Sequence, residues 1–272
     1  MQKNVLITGC SKGFGYLFAL DLARAGFQVA ATSRALDRLQ QLKVQAQKEN
    51  LPIKFYELDV TKKDSLKSVV QQIHNELGTI DVLINNAGYG LMAFIEHATS
   101  DEIKAQFDTN VFGLIAMTQA VIPIMRRQRS GHIINISSAS AAGVTPTMGI
   151  YAASKWAVEA LSEAMYLELK RSGIKVSMVE PGPYQTAFGP SSIKNKLTET
   201  AAKIGQHKRL QDHFLKDPQE VSALMVKIVK SKRPKLRYPA GFAAKAIFFL
   251  RKILPDSWFL RLEEVLFKIN EA

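Results

Sequence analysis

Short runs of apolar and β-branched residues alternate with longer segments of helical period from the start of the chain to Pro181. Residues 5–8 and 80–85 are typical of strands, and residues 13–25 and 99–128 are typical of helices. Strands that alternate with helices of this length form βαβ units, so the pattern predicts a parallel sheet. Because the strands are apolar on both faces, helices should cover both sides. We therefore predict an α/β fold, a Rossmann-type doubly wound parallel sheet.

The length of the chain indicates one domain. A chain of 272 residues, 47% of them hydrophobic, suffices for one large domain and is short for two. No internal repeat or Pro/Gly-rich linker divides residues 1–272, so we predict a single domain. The only cysteine, Cys10, excludes an internal disulfide. With five histidines beside it, a metal site of cysteines and histidines is not expected.

A glycine-rich turn joins the first predicted strand to the first predicted helix. Glycines let the backbone approach a pyrophosphate closely, and the N-terminus of the helix offers free N–H groups and the positive end of its dipole. The placement in the first βα unit favours a dinucleotide site over a plain tight connection. The residues predicted to contact the cofactor here are Gly9, Ser11, Lys12, Gly13, Phe14 and Gly15.

The residues at the end of the second predicted strand indicate which dinucleotide binds. NAD sites usually place an acidic residue here to accept from the ribose 2′-hydroxyl, whereas this chain has Ser33 and Arg34. A guanidinium pairs well with a 2′-phosphate, and Lys12 adds a second positive charge. We therefore predict NADP(H) as the cofactor. The alternative is that Arg34 and Lys12 are ordinary surface cations.

Tyr151 and Lys155 lie four residues apart at the start of a predicted helix, so they share a face. A nearby ammonium lowers the pKa of a tyrosine and makes it a usable proton donor and acceptor. Ser138 follows the preceding strand, at the sheet edge where α/β proteins bind ligands. Tyr166 and Lys170 repeat the spacing about four turns further along the helix. We predict Tyr151 and Lys155 as catalytic and interpret the second pair as packing and surface residues.

With these motifs the chain resembles the short-chain dehydrogenase/reductase superfamily over about residues 4–186. The specific set is Thr8-Gly9-x3-Gly13-x-Gly15, Asp59-Val60, Asn85-Asn86-Ala87-Gly88, Asn110, Ser138, Tyr151-x3-Lys155 and Pro181-Gly182 with Thr186. Within the superfamily, residues 179–183 (Val-Glu-Pro-Gly-Pro), Thr8-Gly9-Cys10 and the extended C-terminus are similar to the hydroxysteroid- and retinol-dehydrogenase-like branch. This likeness is an analogy that names no substrate.

The resemblance implies hydride transfer between NADP(H) and a carbonyl compound or alcohol. Tyr151 would exchange a proton with the substrate oxygen, Lys155 would lower its pKa and hold the nicotinamide ribose, and Ser138 would bond the substrate oxygen. Asn110 would kink the long helix and hold a water of a proton relay. Further cofactor contacts are implied for Asp59 and Val60 at the adenine, for Asn86, Ala87, Gly88, Pro181 and Gly182 along the cofactor, and for Thr186 at the carboxamide.

Residues 183–217 are polar and weakly periodic, and they match the family's substrate lid. Tyr184, Phe188, Ile193, Leu197 and Phe214 of this segment, with Phe94 and Met148, suggest a bulky hydrophobic substrate that is steroid-, retinoid- or lipid-like. The alternative is that these residues only pack the lid.

Two other functions stay open. One is a 3-oxoacyl-thioester reductase that docks an acidic acyl-carrier protein on Arg126, Arg127 and Arg129. The other is a catalytically silent NADP-sensing protein, although the tyrosine and lysine whose loss usually accompanies silence are both present.

The net charge of +12 is concentrated towards the C-terminus, with +3 over residues 1–192 and +9 over residues 193–272. Within this region, residues 243–270 carry two apolar helical patterns flanked by lysines and arginines. Such helices can lie in a membrane interface, cap the active site or pack against another subunit. No nucleic-acid recognition motif accompanies the charge, so nucleic acid is not expected as a partner.

We predict a cytoplasmic enzyme, because the chain enters a strand almost at once and no basic-then-apolar leader precedes it. We find no window of 18 apolar residues in the sequence and therefore expect no helix that spans a membrane, while peripheral membrane association stays open. The resemblance also implies a homodimer or homotetramer formed through the helix that carries Tyr151.

Overall fold

The computed structural model of the protein describes residues 2–186, 190–192 and 216–266. In these residues the strands are β1 (Asn4–Ile7), β2 (Gln28–Ser33), β3 (Ile53–Glu57), β4 (Val82–Asn85), β5 (Gly90–Met92), β6 (Gly131–Ile136), β7 (Ile174–Pro181), β8 (Pro190–Ser192) and β9 (Arg237–Ala240). Seven of them form one sheet in the order β3-β2-β1-β4-β6-β7-β9, and every neighbouring pair is parallel. The small strands β5 and β8 pair with each other. The predicted doubly wound parallel sheet is confirmed.

Helices cover both faces of this sheet. They are α1 (Gly13–Arg24), α2 (Gln40–Lys48), α3 (Lys63–Leu77), α4 (Ser100–Phe107), α5 (Gly113–Gln128), α6 (Gly149–Leu169), α7 (Gln219–Lys230), α8 (Phe242–Ile253) and α9 (Asp256–Leu266). One apolar layer joins the sheet to α1 and α7, for example through Phe18 and Met225. The other joins it to α3, α5 and α6, for example through Val70, Met117 and Val158. Since each central strand is buried on both faces, its residues read as the continuous apolar runs seen in the sequence.

The strand order fixes where a ligand can bind. β1 lies between β2 and β4, so the chain winds away from β1 in both directions. Crevices open at the carboxyl ends of the strands at such a reversal. The segments that leave β1, β4, β6 and β7 at this edge carry the glycine-rich turn, Asn86, Ser138 and Gly182.

The predicted helix over residues 99–128 is one helical run with a π turn in its middle. Its start has the predicted capping box, in which Thr99 Oγ1 accepts from Glu102 N at 3.3 Å and Glu102 Oε2 accepts from Thr99 N at 2.8 Å. The π turn over Asp108–Phe112 separates α4 from α5 and contains Asn110. The extra residue in this turn shifts the helix face, and such bulges concentrate at functional sites.

The same run corrects one sequence expectation about membranes. Ser100–Gln128 is long and apolar enough, by length and composition alone, to cross a membrane, with a mean hydropathy of 1.3 in its best window. Of that window, 44% is buried inside the protein, because Met117, Val121 and Ile124 cover the sheet. Core helices of soluble proteins have the same composition, so this run is weak evidence for a span.

The C-terminal helices α8 and α9 fold back towards the segment that follows Ser138. Val144 N donates to Glu263 Oε1 at 2.9 Å, and a Cβ on Gly143 would lie 2.7 Å from that oxygen and 2.8 Å from Ile247. The predicted extension over 243–270 is described as far as residue 266. Of the predicted lid over 183–217, residues 187–189 and 193–215 lie outside the described residues, and Phe188, Ile193, Leu197 and Phe214 with them.

Candidate active site

The loops that leave β1 and β4 are tied together at the glycine-rich turn. Thr8 Oγ1 accepts from the N–H groups of Asn86 and Ala87, both at 3.0 Å. Asn86 Nδ2 donates to the carbonyls of Thr8 at 2.9 Å and Gly9 at 3.0 Å. The side chain of Asn86 therefore stabilises the glycine-rich turn, and hydrogen bonds join the loop after β1 to the loop after β4 at the edge of the sheet.

Two glycines of the turn are required by space and conformation. Gly9 has φ +74, and a Cβ there would lie 2.9 Å from Ala87 Cα. A Cβ on Gly15 would lie 2.2 Å from the carbonyl oxygen of Gly9. The side chain of Lys12, the N-cap residue of α1, makes no capping hydrogen bond, and the first N–H groups of the helix are directed into the turn. The turn thus has the form of a cradle for a phosphate.

Other predicted residues line this cradle or pack behind it. Gly13 lies across from Thr186, whose Cβ is 3.9 Å from the position of a Cβ on Gly13. The ring of Phe14 stacks on Phe18 and packs edge-on against Tyr184, both at 5.8 Å between centroids. The side chain of Phe14 is therefore committed to the core, and only its backbone belongs to the turn.

Two cations flank the cradle at the ends of β1 and β2. Cys10 N donates to Thr32 O at 2.8 Å, which holds the two strand ends side by side. Lys12 and Arg34, each two residues further on, are both exposed, and Ser33 is buried. Asp37 accepts from Arg38 N at 2.8 Å in the next turn, so its carboxylate is engaged there.

Asp59 and Val60 follow β3 as predicted, but Asp59 is held in a local turn. Its Oδ1 accepts from Thr61 N at 3.0 Å and from Thr61 Oγ1 at 2.8 Å. Val60 is buried against α5, since a Cβ on Gly113 would lie 2.7 Å from Val60 Cγ2.

Asn110 is buried in the π turn and connects three parts of the site. Its Nδ2 donates to Tyr89 O at 3.0 Å and to Ser154 Oγ at 3.1 Å, while its Oδ1 accepts from Tyr89 N at 3.1 Å. Gly88 lies beside it, because a Cβ there would be 3.0 Å from Asn110 Oδ1 and 3.8 Å from Lys155 Nζ. The predicted residues Gly88, Asn110 and Lys155 are thus neighbours.

Tyr151, Lys155 and Ser138 come together at the carboxyl end of β6. The first turns of α6 place Tyr151 and Lys155 on one face, with Lys155 Nζ 5.7 Å from the centre of the Tyr151 ring. Lys155 Nζ donates to Ile136 O, the last residue of β6, at 2.8 Å. Ser138, two residues further on, hydrogen-bonds the Tyr151 side chain. A donor, an acceptor and a cation therefore meet at one point.

Burial dominates the electrostatics of this group. It raises the pKa of Tyr151 to about 12, against a smaller lowering by the hydrogen bond from Ser138. It lowers the pKa of Lys155 to about 8, against a smaller increase from the Glu159 carboxylate. The net lowering of the Tyr151 pKa expected from Lys155 is not found, because the ammonium is bound to a carbonyl and the phenol is fully desolvated.

Sequence reasoning missed two features next to these residues. Glu159 and Glu180 are buried and share the partly exposed Arg237, and Glu263 accepts a hydrogen bond from the loop after Ser138. The spacing of four between Lys155 and Glu159 was the only local signal. The other partners are brought together by β7, β9 and α9, which no short motif records.

Comparison with known proteins identifies the family. The family model for short chain dehydrogenase matches residues 3–230. A 3-ketodihydrosphingosine reductase from Bacteroides thetaiotaomicron is 38% identical over 94% of this chain and 95% of its own length. Retinol dehydrogenase 8 from Bos taurus is 34% identical over 86% of this chain and 80% of its own. The solved structure of ElxO with NADP bound has a TM-score of 0.76 at 26% identity, covering 90% of this chain and 100% of that one. The chain belongs to the short-chain dehydrogenase/reductase family of oxidoreductases.

Proposed function

We propose that this enzyme interconverts a ketone or aldehyde and an alcohol with NADP(H), with Tyr151 as general acid and base. The observation that carries the proposal is the convergence of Tyr151, Ser138 and Lys155 at the sheet edge that also carries the glycine cradle. When bound, the cofactor supplies or accepts the hydride. The turn from Gly9 to Gly15, with Asn86 behind it, fits the pyrophosphate of such a group.

We assign NADP(H) rather than NAD(H) from the charges beside the cradle. Lys12 and Arg34 are exposed at the ends of neighbouring strands, where a 2′-phosphate would be recognised. Asp37 lies three residues after Arg34, in the 3-10 turn Leu36–Leu39, where its Oδ1 accepts from Arg38 N. ElxO, which has NADP bound, supports the same assignment.

Side chains of this protein carry out the proton transfer. Tyr151 Oη holds the proton that the substrate oxygen receives in reduction, and Ser138 orients both oxygens. Lys155 supplies positive charge beside the phenol. Because burial raises the pKa of Tyr151, the phenol keeps its proton at neutral pH, which suits the direction of carbonyl reduction.

A bulky hydrophobic substrate fits the rim of the site. Ile95 is 74% exposed and lies 3.4 Å from the position of a Cβ on Gly149, at the start of the helix that carries Tyr151. Val144 is 40% exposed on the loop that follows Ser138. The names of two relatives, a ketosphingoid reductase and a retinol dehydrogenase, point to lipophilic substrates of the same kind.

The acyl-carrier alternative is disfavoured by the place of its docking residues. Arg126, Arg127 and Arg129 lie at the C-terminal end of α5, before β6 begins. Ser138 and Tyr151 lie beyond the other end of β6, about 20 Å away for a strand of six residues. A carrier bound at these arginines would therefore face the opposite edge of the sheet.

A panel of carbonyl compounds tests the proposed substrate class. We expect NADPH-dependent turnover whose kcat/KM rises from small diketones to 3-ketosphingoid, steroid and retinoid carbonyls. Turnover restricted to 3-oxoacyl thioesters would support the carrier-protein function instead. No turnover with any substrate, together with tight NADPH binding, would support the silent sensor.

We also propose that α8 and α9 bring the enzyme to the surface of a membrane from the cytoplasm. An exposed apolar stripe runs along α8 and consists of Phe242 (77% exposed), Phe249 (61%) and Ile253 (55%). Trp258 and Val265 form a second stripe on α9 at 69% and 68% exposure. Cations flank both stripes, at Lys245, Lys252 and Arg261. Exposed aromatic and aliphatic residues beside lysines and arginines are typical of interfacial helices on anionic lipid.

Co-sedimentation with lipid vesicles tests this surface. We expect the enzyme to bind vesicles that contain phosphatidylglycerol. The double variant Phe249→Ser, Ile253→Ser should bind them at least about 10-fold more weakly, because it lacks two apolar side chains that would be buried in the lipid. Val44→Ser, which removes an apolar residue 53% exposed on α2, is the matched control. Equal binding by the double variant would refute the proposed surface.

The oligomer is proposed to be a homodimer or homotetramer formed through α6. Trp156 and Leu167 are 44% and 72% exposed on this helix and lie three turns apart on one face. Exposed apolar residues that recur on one helix face are typical of subunit contacts.

A further inference from the structure

Behind Lys155, two buried glutamates share one arginine. Glu159 lies one turn after Lys155 on α6, and Glu180 lies on β7; their exposed fractions are 5% and 0%. Nη1 of Arg237, on β9, donates to Glu159 Oε2 and, at 2.6 Å, to Glu180 Oε1. Nη2 donates to Glu163 Oε1 at 2.7 Å. The carboxyl group of Glu163 is 55% exposed, so it belongs to the surface of the cluster.

Two carboxyl groups of the cluster are buried, and the partly exposed Arg237 binds one oxygen of each. Glu159 Oε1 and Glu180 Oε2 are buried, and neither has a hydrogen-bond donor among the described residues. Two such oxygens on adjacent carboxyl groups are satisfied together by one shared proton. Burial, followed by the charge of Glu159, raises the pKa of Glu180, which places that proton on Glu180 at neutral pH. Glu159 takes part in this pair as the carboxylate whose charge contributes to that rise.

The position of this carboxylate links the cluster to the catalytic lysine. Three ionisable groups face Glu159: Lys155 from its own helix, Glu180 from β7 and Arg237 from β9, with Glu163 one turn further along α6. Lys155 is buried and donates to the carbonyl oxygen of Ile136. Lys155 and Glu159 are both buried and lie one turn apart on the same face of α6, where the charge of Glu159 favours the ammonium form of Lys155.

We propose that Glu159 is a positioning residue of the active site, whose carboxylate keeps Lys155 charged and is itself held by Arg237 and by a proton shared with Glu180. The inference rests on the proposed function, in which Lys155 supplies positive charge beside Tyr151. The competing explanation is purely structural: the cluster fastens β9 to α6 and does nothing to Lys155.

Removal of the Glu159 carboxylate should shift the pH profile in the same direction whether the proton of Lys155 or that of Tyr151 limits turnover. Removing an anion makes both an ammonium and a phenol lose their protons more readily, so the pKa of Lys155 and that of Tyr151 both fall. Lys155 therefore loses its charge at a lower pH. The alkaline limb of carbonyl reduction should move to lower pH in either case.

Three variants that remove one carboxyl group each separate the two explanations. Glu159→Gln removes the carboxylate beside Lys155. Glu180→Gln replaces a protonated carboxyl group with an amide and leaves Glu159 charged. Glu163→Gln removes an exposed partner of the same Arg237 and is the matched control. Titration of the lysine ¹³Cε resonances by NMR measures the pKa of Lys155 directly. The resonance of Lys155 is assigned by its loss in Lys155→Met.

We expect the Lys155 midpoint and the alkaline limb of kcat/KM to fall by about one pH unit in Glu159→Gln and to stay in place in the other two variants. Equal midpoints in all three variants, with lowered thermal stability, would establish the structural explanation and overturn ours. If Glu159→Gln does not fold, Glu159→Asp replaces it. In that variant the carboxylate is one methylene further from Lys155, so we expect a smaller fall in the Lys155 midpoint. An unchanged midpoint would overturn the proposal.

The NMR titration also separates failure of this inference from failure of the proposed function. A protein without Tyr151-dependent turnover fails the proposed function, yet its Lys155 midpoint still decides whether Glu159 acts on Lys155. A protein that is active through Tyr151 but shows no change in Lys155 fails only the inference.

Discussion

Replacing Tyr151 with phenylalanine should reduce kcat for carbonyl reduction by about 10²- to 10⁴-fold, the usual contribution of a positioned acid. The ring remains and the hydroxyl is lost, so the packing of this buried side chain is preserved. NADPH affinity should change little, because the cradle and the cations at Lys12 and Arg34 are untouched. Stopped-flow turnover and fluorescence titration of NADPH measure the two quantities separately.

Tyr166→Phe is the matched control for this prediction. Tyr166 and Lys170 repeat the spacing of Tyr151 and Lys155 on the same helix, but Tyr166 is 37% exposed and lies far from the carboxyl edge of the sheet. We expect Tyr166→Phe to keep full activity. If Tyr151→Phe also kept it, the proton would have to come from another group and the assignment of Tyr151 would be wrong.

The sequence predicts those parts of the site that lie on short, contiguous segments. The turn from Gly9 to Gly15 and the pair Tyr151–Lys155 are local patterns, and helix geometry alone places such a pair on one face. Ser138 follows from the rule that ligands bind at the carboxyl ends of parallel strands. These predictions needed no knowledge of how the strands pair.

Long-range contacts explain what the sequence did not predict. Glu180 and Arg237 are 57 residues apart and meet because β7 and β9 are neighbours in the sheet. The last strand, β9 (Arg237–Ala240), contains Pro239, a residue that is not typical of strands. Proline is tolerated there because β9 is an edge strand and the residue need not donate to a further neighbour.

The π turn around Asn110 and the raised pKa of Tyr151 were also not predicted, because both depend on tertiary packing. An apolar pattern of helical period continues through residues 99–128, so one extra residue in the middle leaves no clear mark on it. The expected effect of Lys155 on Tyr151 considered charge without desolvation. In the structure burial is the larger cause for both groups, and its sign is opposite for the phenol.

Reversing the charge of Arg34 should remove the preference for NADPH over NADH. A charge-assisted hydrogen bond to a phosphate contributes about 10- to 100-fold in affinity, and a glutamate at this position adds repulsion to that loss. NADH lacks the 2′-phosphate, so Arg34→Glu should weaken NADPH binding by at least about 10-fold while NADH binding stays the same or improves. Dissociation constants for both cofactors give the ratio directly.

Arg38→Glu makes the same change of charge one turn further along the chain and controls for the general field of the surface. Arg38 is exposed like Arg34, but its N–H group is bound to Asp37 in the turn after β2. We expect this variant to keep the NADPH preference, since screening at physiological salt weakens an exposed charge that does not touch the phosphate. A preference lost in Arg38→Glu and kept in Arg34→Glu would move the contact to Arg38. A preference kept in both would leave Lys12 as the cation that recognises the phosphate.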